Sequence, residues 1–406
     1  MTTKLWARLV TGTGVAMICA VLLTGCGAAL RQAAPIALAE KASMVGFSDI
    51  RFYPFTNPAP ARHMLETAFL TETPESYEVQ ADGSRVYSYL SISGGGSDGA
   101  FGAGLLNGWT ETGQRPHFKV VTGVSTGALI APFAFLGPEY DDILKSSYTT
   151  VDASRIFTVR SLLAILWSES LTDTEPLKAM VASYIDDKVI AAVAAEHAKG
   201  RRLLVATSNL DAEQPVIWDM GAIASSKDPK RLELFRTVMV ASAAIPAVFP
   251  PAMINVEIDG KQYDEMHADG GVFLQSFSIA NILDLQRVVG EAHPDYTGKV
   301  VQRLYVIRNG RVTPEPTPVE RSLSGITLRA IGTMLKMSGI NDLYRLYLTS
   351  LHDKIEFRYI AIPPAFESKT HEQFVEAEMI RQFDFGREMA LNGIPWQMTP
   401  PGYAPE

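Results

Sequence analysis

The chain has 406 residues, of which 47% are hydrophobic, and its formal net charge is −8. This length is enough for a large core, and the acidic balance without a basic run argues against nucleic acid as a partner. Both cysteines, Cys19 and Cys26, lie near the N-terminus. The rest of the chain therefore has no thiol for a disulfide, a metal site or a catalytic cysteine.

The first 25 residues have the pattern of an export signal. Lys4 and Arg8 precede an apolar stretch at 9–23, which is too short to span a bilayer as a helix and typical of a signal h-region. The stretch ends at 23–26 in Leu-Thr-Gly-Cys, which resembles the lipobox of bacterial lipoproteins. We therefore predict a signal peptide at 1–25 and a membrane anchor on Cys26. By this resemblance, Gly27 favours the outer membrane, because retention in the inner membrane usually requires Asp there. An ordinary secretory signal is the alternative.

Between two irregular ends, the chain alternates strand and helix patterns in the way typical of α/β proteins. We predict an N-terminal tether at 26–80 with one short helix near 62–69, one catalytic domain at 81–394, and an irregular, proline-rich tail at 395–406. The predicted strands lie at 86–92, 118–122, 202–207, 216–218, 304–307 and 357–362. The predicted helices lie at 100–111, after the turn at 125 up to 135, and at 231–244, 320–350 and 371–391.

A glycine-rich turn follows the first strand, with Gly94, Gly95 and Gly96 in succession and Gly99 three residues later. Such a turn brings several backbone N–H groups to one point, and the next helix adds the positive end of its dipole. We predict that Gly94, Gly95 and Gly96 form an oxyanion hole, although a phosphate would fit equally well. The turn also matches the dinucleotide pattern G-x-G-x-x-G, but the second strand ends without the acidic residue such a site requires.

The second glycine turn, at 123–127, reads Gly-Val-Ser-Thr-Gly and lies between a strand and an apolar helix, as a nucleophile elbow requires. Gly123 and Gly127 allow the sharp turn and leave the hydroxyl of Ser125 exposed. Ser97 lies in the same G-x-S-x-G pattern and is the alternative nucleophile. The order of the motifs favours Ser125, because an oxyanion loop usually precedes the elbow.

The candidate base is Asp269, which is followed by Gly270 and Gly271 and then by an aliphatic segment. The seven histidines are scattered and none has a recognisable catalytic setting. A carboxylate with its usual pKa of about 4 is a weak base. It can serve if it hydrogen-bonds directly to the serine in a dry cleft.

Together these segments resemble the patatin-like phospholipases, and 241–251 resembles the helix end and loop that precede the D-G-G motif in that family. The resemblance implies a three-layer α/β sandwich with a mainly parallel central sheet flanked by helices. It also implies a Ser125–Asp269 dyad that works through an acyl-enzyme, with no cofactor and no metal. The substrate would be a membrane lipid or fatty-acyl ester, cleaved as by a phospholipase A, a lysophospholipase or an esterase.

One residue departs from that family, which often has Arg or Lys shortly after the triple glycine. Here Ser97 and Asp98 stand in that place. An acidic side chain directed at an oxyanion would oppose catalysis. We therefore expect Asp98 to point outward or to cap the following helix.

Two other functions remain open from the sequence. A Ser-His-Asp α/β-hydrolase is the nearest, but only about 26 residues separate Gly96 from Gly123, and that fold normally places more elements there. The other is a catalytically inactive lipid-binding or scaffolding lipoprotein of the envelope. The apolar helices at 156–200 would form either a cap over the site or ordinary core.

Overall fold

The computed structural model describes residues 31–156, 158–159, 170, 172–370 and 372–403. The predicted signal peptide, the predicted lipidation site Cys26 and the apolar residues at 157 and 162–167, expected in a cap or in the core, lie outside this range. Among the helices that are described, none is both long and apolar enough to cross a bilayer.

A large mixed sheet forms the centre of the molecule, in the order β1-β8-β7-β4-β3-β11-β12, and its middle strands β7, β4, β3, β11 and β12 run parallel. A hairpin of β9 and β10 joins the sheet where β10 pairs antiparallel with β7. The strands are β1 (Arg51–Phe52), β2 (Glu78–Val79), β3 (Arg85–Ile92), β4 (Val120–Val124), β5 (Thr158–Val159), β6 (Thr172–Asp173), β7 (Arg202–Asn209), β8 (Gln214–Asp219), β9 (Ala252–Ile258), β10 (Lys261–Asp269), β11 (Val300–Arg308) and β12 (Glu356–Ala361).

Helices cover both faces of this sheet, so that two apolar cores lie on its two sides. The helices are α1 (Ala59–Leu70), α2 (Gly99–Glu111), α3 (Thr126–Leu136), α4 (Asp141–Thr149), α5 (Glu175–Tyr184), α6 (Asp187–Ala198), α7 (Met220–Ser225), α8 (Arg231–Ser242), α9 (Leu285–Ala292), α10 (Leu323–His352) and α11 (Glu376–Leu391). Residues of α1, α9 and α10 pack on one face, and those of α2 to α8 and α11 pack on the other. The predicted three-layer α/β sandwich is confirmed.

The sequence prediction missed the β9–β10 hairpin. Its strands alternate buried with exposed or partly exposed residues, and several of the outer residues are charged. The turn at Asp259 and Gly260, where both residues have positive φ angles of 51° and 78°, joins the two strands. This hairpin matters for the site, because Asp269 is the last residue of β10.

The described part of the predicted tether, 31–80, packs against the catalytic body, which corrects that prediction. β1 adds to the sheet through Arg51 opposite Trp218 and Phe52 opposite Ile217. The Arg51 guanidinium forms a buried ion pair of 2.5 Å with Glu265 on β10. Because an extended segment that pairs with a sheet and buries a charge pair is held in place, 31–80 cannot act as a free spacer.

The C-terminal tail is irregular over its described part, 395–403, but it is also packed. The Trp396 ring lies 5.2 Å from that of Trp109 on α2. The Tyr403 ring lies 5.0 Å from that of Tyr347 on α10. Aromatic contacts therefore hold the tail where the sequence shows only a run of prolines.

Candidate active site

Ser125 lies in a strained turn between β4 and α3. Its φ and ψ angles are 56° and −126°, a region that non-glycine residues adopt only when the surrounding structure forces it. The backbone N–H of Ser125 donates a 3.0 Å hydrogen bond to Oγ of Ser242. That hydroxyl in turn donates to the carbonyl of Ala206 at 2.7 Å. The end of α8 and strand β7 therefore hold the turn from behind.

The glycines beside Ser125 are required by close backbone contacts. A Cβ atom on Gly123 would lie 2.4 Å from the carbonyl oxygen of Gly127. One on Gly127 would lie 2.2 Å from the carbonyl oxygen of Ile92. Real Cβ atoms do not come this close to a backbone, so no larger residue fits at either position without moving β3 or β4.

Strand β7 brings Ser125 and Asp269 together. Val124, the last residue of β4, pairs with Ala206, while Asp269, the last residue of β10, pairs with the next residue, Thr207. Since β4 runs parallel and β10 antiparallel to β7 along the same edge, the two strands meet end to end. Both candidate catalytic side chains therefore emerge at that junction.

The Asp269 carboxylate is buried and only half satisfied. Its Oδ1 accepts a 2.7 Å hydrogen bond from the N–H of Gly271. Its Oδ2 has no hydrogen-bond partner within the described part of the chain. Burial raises the pKa of Asp269 to about 7, against the lowering effect of the nearby Ser125 hydroxyl and of the Gly271 N–H. The Asp269 carboxylate thus interacts with the Ser125 hydroxyl and can accept its proton.

The other two residues of the D-G-G segment are also fixed by packing. A Cβ atom on Gly270 would lie 2.5 Å from the carbonyl oxygen of Ala206. One on Gly271 would lie 2.9 Å from Oδ1 of Asp269 and 2.3 Å from Nε2 of Gln275. The glycines let this loop close tightly around the carboxylate.

The triple-glycine loop faces Ser125, but its three N–H groups are not equivalent. A Cβ atom on Gly94 would lie 3.1 Å from Cβ of Ser125. The N–H of Gly94 is already used, since it donates to the carbonyl of Gln275 at 3.2 Å. The N–H groups of Gly95 and Gly96 have no acceptor among the described residues. They are the donors of this loop that remain available for an oxyanion.

Two buried residues that sequence reasoning missed support the loop from behind. The Arg308 guanidinium donates through Nη1 to the Gly94 carbonyl at 3.1 Å and to Oγ of Ser93 at 3.2 Å. Gln275 donates through Nε2 to the carbonyl of Gly271 at 3.2 Å, and its backbone N–H donates to Asp342 at 2.7 Å. Gln275 thus links the oxyanion loop, the D-G-G loop and α10. Neither residue stands in a motif, so no local signal would have found it.

Ser97 and Asp98 are both engaged away from the dyad. The Ser97 hydroxyl donates a 3.0 Å hydrogen bond to Oε1 of Gln373. Asp98 accepts a 2.7 Å bond from Nε2 of Gln382 on α11, and it makes no capping bond to α2. Asp98 is half-buried and turned away from the dyad as expected, but the expected helix cap is wrong, because α11 packs across α2 and its Gln382 bonds to the carboxylate. Burial raises the pKa of Asp98 to about 6.

The histidine nearest to Asp269 in sequence does not act on it. His267 is buried, with Nδ1 2.8 Å from Oγ1 of Thr207 and Nε2 3.1 Å from Glu265. Within the described ranges, no imidazole hydrogen-bonds to the Asp269 carboxylate. Among the described residues, a serine–aspartate pair is thus present without a histidine between them.

An apolar cavity of about 40 Å³ begins one residue after Ser125. Thr126, Leu129 and Phe133 of α3 line one side. Met180 of α5 and Phe374 are among the residues that line it elsewhere. The apolar part of a substrate bound at Ser125 would be stabilised there by burial.

Residues 90–277 match the family model of the patatin-like phospholipases. Among solved structures, the crystal structure of VipD from Legionella pneumophila is similar at 13% sequence identity, with a TM-score of 0.35 over 78% of this chain and 70% of that one. No curated protein matches the chain. The matched segment holds the triple glycine, Ser125 and Asp269, and residues 90–277 therefore form a patatin-like phospholipase domain.

Proposed function

We propose that the chain hydrolyses lipid acyl esters with Ser125 as the nucleophile and Asp269 as the general base. A patatin-like domain is in general terms that of a lipid acyl hydrolase, and the dyad is our assignment within it. The observation that carries this assignment is the buried Asp269 carboxylate, which interacts with the Ser125 hydroxyl and whose Oδ2 lacks a hydrogen-bond partner among the described residues. A carboxylate with a pKa raised to about 7 is a much better base than an exposed one.

In the first step, Oγ of Ser125 attacks the ester carbonyl carbon while its proton passes to Oδ2 of Asp269. The carbonyl oxygen becomes an oxyanion, and the N–H groups of Gly95 and Gly96 donate to it. The tetrahedral intermediate then breaks its bond to the leaving alcohol, which takes the proton from Asp269. The acyl group remains as an ester on Ser125.

In the second step, a water molecule takes the place of the Ser125 hydroxyl as the attacking group. Asp269, again unprotonated, accepts a proton from a water molecule as its oxygen attacks the acyl carbon. The same two N–H groups hold the second oxyanion. When it collapses, Ser125 regains its proton and the fatty acid is released. No step requires a metal or an organic cofactor.

Hydrolysis of p-nitrophenyl esters of increasing chain length tests this function, with Ser125→Ala as the matched control. We expect activity that rises toward long acyl chains and is lost in the variant. The same series with phospholipid and lysophospholipid separates phospholipase A, lysophospholipase and simple esterase activity. Covalent labelling by a fluorophosphonate probe separates all of these from an inactive lipid-binding lipoprotein, since only an activated serine reacts.

We also propose that the chain is anchored in the bacterial envelope, in the outer membrane, through a lipid on Cys26. The support is the Leu-Thr-Gly-Cys segment at the end of the apolar stretch. Several acyl chains on one cysteine would hold the protein firmly, whereas a single chain binds only marginally. Cys26→Ala should abolish labelling with a fatty acid and weaken the retention of the protein in the membrane fraction.

A further inference from the structure

The N-terminal half of α10 exposes apolar side chains that the fold leaves uncovered. The residues from 326 to 334 are all exposed, so this part of the helix projects from the body. The exposed large apolar residues on this half are Leu323 (86%), Ile326 (55%), Leu328 (53%), Ile331 (37%), Met334 (70%) and Met337 (47%). Such a concentration on a single element is uncommon on a monomeric protein and indicates an interaction surface.

These side chains form a broad arc around the helix. At about 100° per residue, positions 323, 326, 330, 334 and 337 fall within about 80° of one another, and 331 and 328 lie about 60° and 120° further round, so the arc spans about 200°. The polar positions lie opposite. There, Arg329 donates to the carbonyl of Glu315 at 2.7 Å and Lys336 pairs with its carboxylate at 2.8 Å. The preceding loop thus covers the polar side of the helix and leaves the apolar side open, the reverse of an ordinary surface helix.

The exposed half of α10 ends beside the edge of the sheet where the candidate active site lies. The C-terminal half packs against the sheet, with the Tyr347 ring 5.6 Å from that of Phe357 near the start of β12. Further back along the helix, a Cβ atom on Gly339 would lie 2.6 Å from Cζ of Arg308, the last residue of β11. The 16 residues from 323 to 338 precede this contact and make up about 24 Å of helix.

One end of this surface is linked to the candidate nucleophile through a chain of contacts. Gly339 contacts Arg308, Arg308 hydrogen-bonds to Gly94, and Gly94 packs against Ser125. Val272, directly after the D-G-G segment, adds another apolar side chain that is 40% exposed. No Asp or Glu occurs between Glu320 and Asp342, although the chain as a whole is acidic. An apolar helix side without negative charge, next to the site, suits a lipid surface.

We propose that the exposed half of α10 inserts its apolar side into the interface of a lipid bilayer and so presents the mouth of the Ser125 site to that surface. A lipid bilayer is the expected partner of this helix because the proposed function, on which this inference rests, has a lipid substrate. The helix lies in the interface and does not cross the bilayer, because Arg329 and Lys336 keep one side polar. The N-terminal lipid would hold the protein near the membrane, and α10 would orient it there.

A reporter on the helix tests insertion without requiring catalysis. The reporter is an environment-sensitive fluorophore attached to Met334→Cys in the full chain. Cys19→Ser and Cys26→Ser remove the other two thiols. The matched control is Leu348→Cys, on the same helix and also exposed at 52%, but on the half that packs against the sheet. With vesicles of phosphatidylcholine and a minor share of phosphatidylglycerol, lipids brominated on their acyl chains should quench the label at 334 and spare the label at 348. Equal quenching at both positions, or none at 334, would overturn the proposal.

A second measurement separates this surface from the chemistry. Ile326→Gln with Met334→Gln should weaken hydrolysis of ester in vesicles by about tenfold for each side chain removed from the interface. Hydrolysis of a monomeric short-chain ester should stay the same. Leu348→Gln with Leu351→Gln is the control and should change neither. An equal loss on both substrates contradicts the proposal.

A failure of this proposal can be distinguished from a failure of the proposed function. Quenching at 334 in a chain without esterase activity would retain the interfacial helix and reject the proposed function. Conversely, a dimer in solution that Ile326→Gln with Met334→Gln converts to a monomer, without lipid quenching at 334, would assign this side of α10 to a second copy of the chain and reject the lipid surface.

Discussion

The Arg308 guanidinium donates a 3.1 Å hydrogen bond to the carbonyl oxygen of Gly94, which also accepts a 2.6 Å bond from the Ser93 hydroxyl. In a trans peptide, the carbonyl of one residue and the N–H of the next point in opposite directions. The two donors therefore turn the N–H of Gly95 away from Arg308. A buried cation on the carbonyl also polarises that peptide, so its N–H becomes a stronger donor to an oxyanion.

Arg308→Met should lower kcat by about tenfold to a hundredfold and leave KM nearly unchanged, because the oxyanion exists only in the transition state. Arg308→Lys should recover part of the loss, since an ammonium group can still donate to the Gly94 carbonyl. Arg303→Met, on the same strand, is the control. If KM rises and kcat holds, Arg308 serves substrate binding and not the oxyanion loop.

The dyad predicts a large and specific loss of activity. Ser125→Ala and Asp269→Asn should each reduce kcat by about a thousandfold or more, because the nucleophile and its base act as a unit. Ser97→Ala, in the alternative G-x-S-x-G pattern, should keep most of the activity. His267→Ala tests the triad alternative, and thermal unfolding checks that this variant is folded. Full loss of activity in a folded His267→Ala protein would favour a triad.

The pH dependence of activity should report on Asp269. Its pKa is raised to about 7 by burial, and only the unprotonated carboxylate can accept the Ser125 proton. We therefore expect kcat/KM on a neutral ester to rise with pH, with a midpoint near 7. A midpoint near 4, the usual range of an exposed carboxylate, would contradict the buried environment.

Asp269 should also make the protein less stable as pH rises. Because its pKa is higher in the folded chain than in the unfolded one, the folded state binds more protons between pH of about 4 and 7. The free energy of unfolding should fall across that range. Asp269→Asn removes the buried charge, so the variant should unfold at a higher temperature than the parent at pH about 8 and show a weaker pH dependence.

The triple glycine should tolerate no side chain at its centre. A Cβ atom on Gly95 would lie 1.9 Å from the backbone carbonyl oxygen of Asn309. Gly95→Ala should therefore displace the loop and abolish activity. Gly290→Ala is the control, since nothing lies within 4 Å of its Cβ position in α9, and it should stabilise the helix by about 1 kcal/mol. Thermal unfolding and esterase assays of both variants check this.

The N-terminal segment should depend on the Arg51–Glu265 pair. Their side chains are 6% and 1% exposed, so Arg51→Met leaves a buried carboxylate without its partner and should cost about 3–5 kcal/mol of unfolding free energy. The double variant Arg51→Met with Glu265→Gln should recover much of this. Additive losses in a denaturant double-mutant cycle would show that the two side chains do not interact.

The sequence alone determined the local parts of the site. A tight turn or an elbow imposes residue types over a few adjacent positions. The sequence therefore identifies Ser125, Asp269 and the glycines at 94–96, 123, 127, 270 and 271 as candidate site residues. The alternation of strands and helices was likewise sufficient for the α/β class, since hydrophobic periodicity is a local property. The three-layer sandwich was implied by the resemblance to the patatin-like phospholipases.

Only the tertiary structure decided what surrounds these parts. Arg308 and Gln275 reach the glycine loop from distant segments, and Asp98 is covered by α11, which follows it by almost 280 residues. The packed segment 31–80 and the uncovered side of α10 depend in the same way on which surfaces meet. A turn motif is fixed by the sterics of neighbouring residues, whereas burial, ion pairing and exposure depend on contacts between residues far apart in the chain, and no local pattern encodes those.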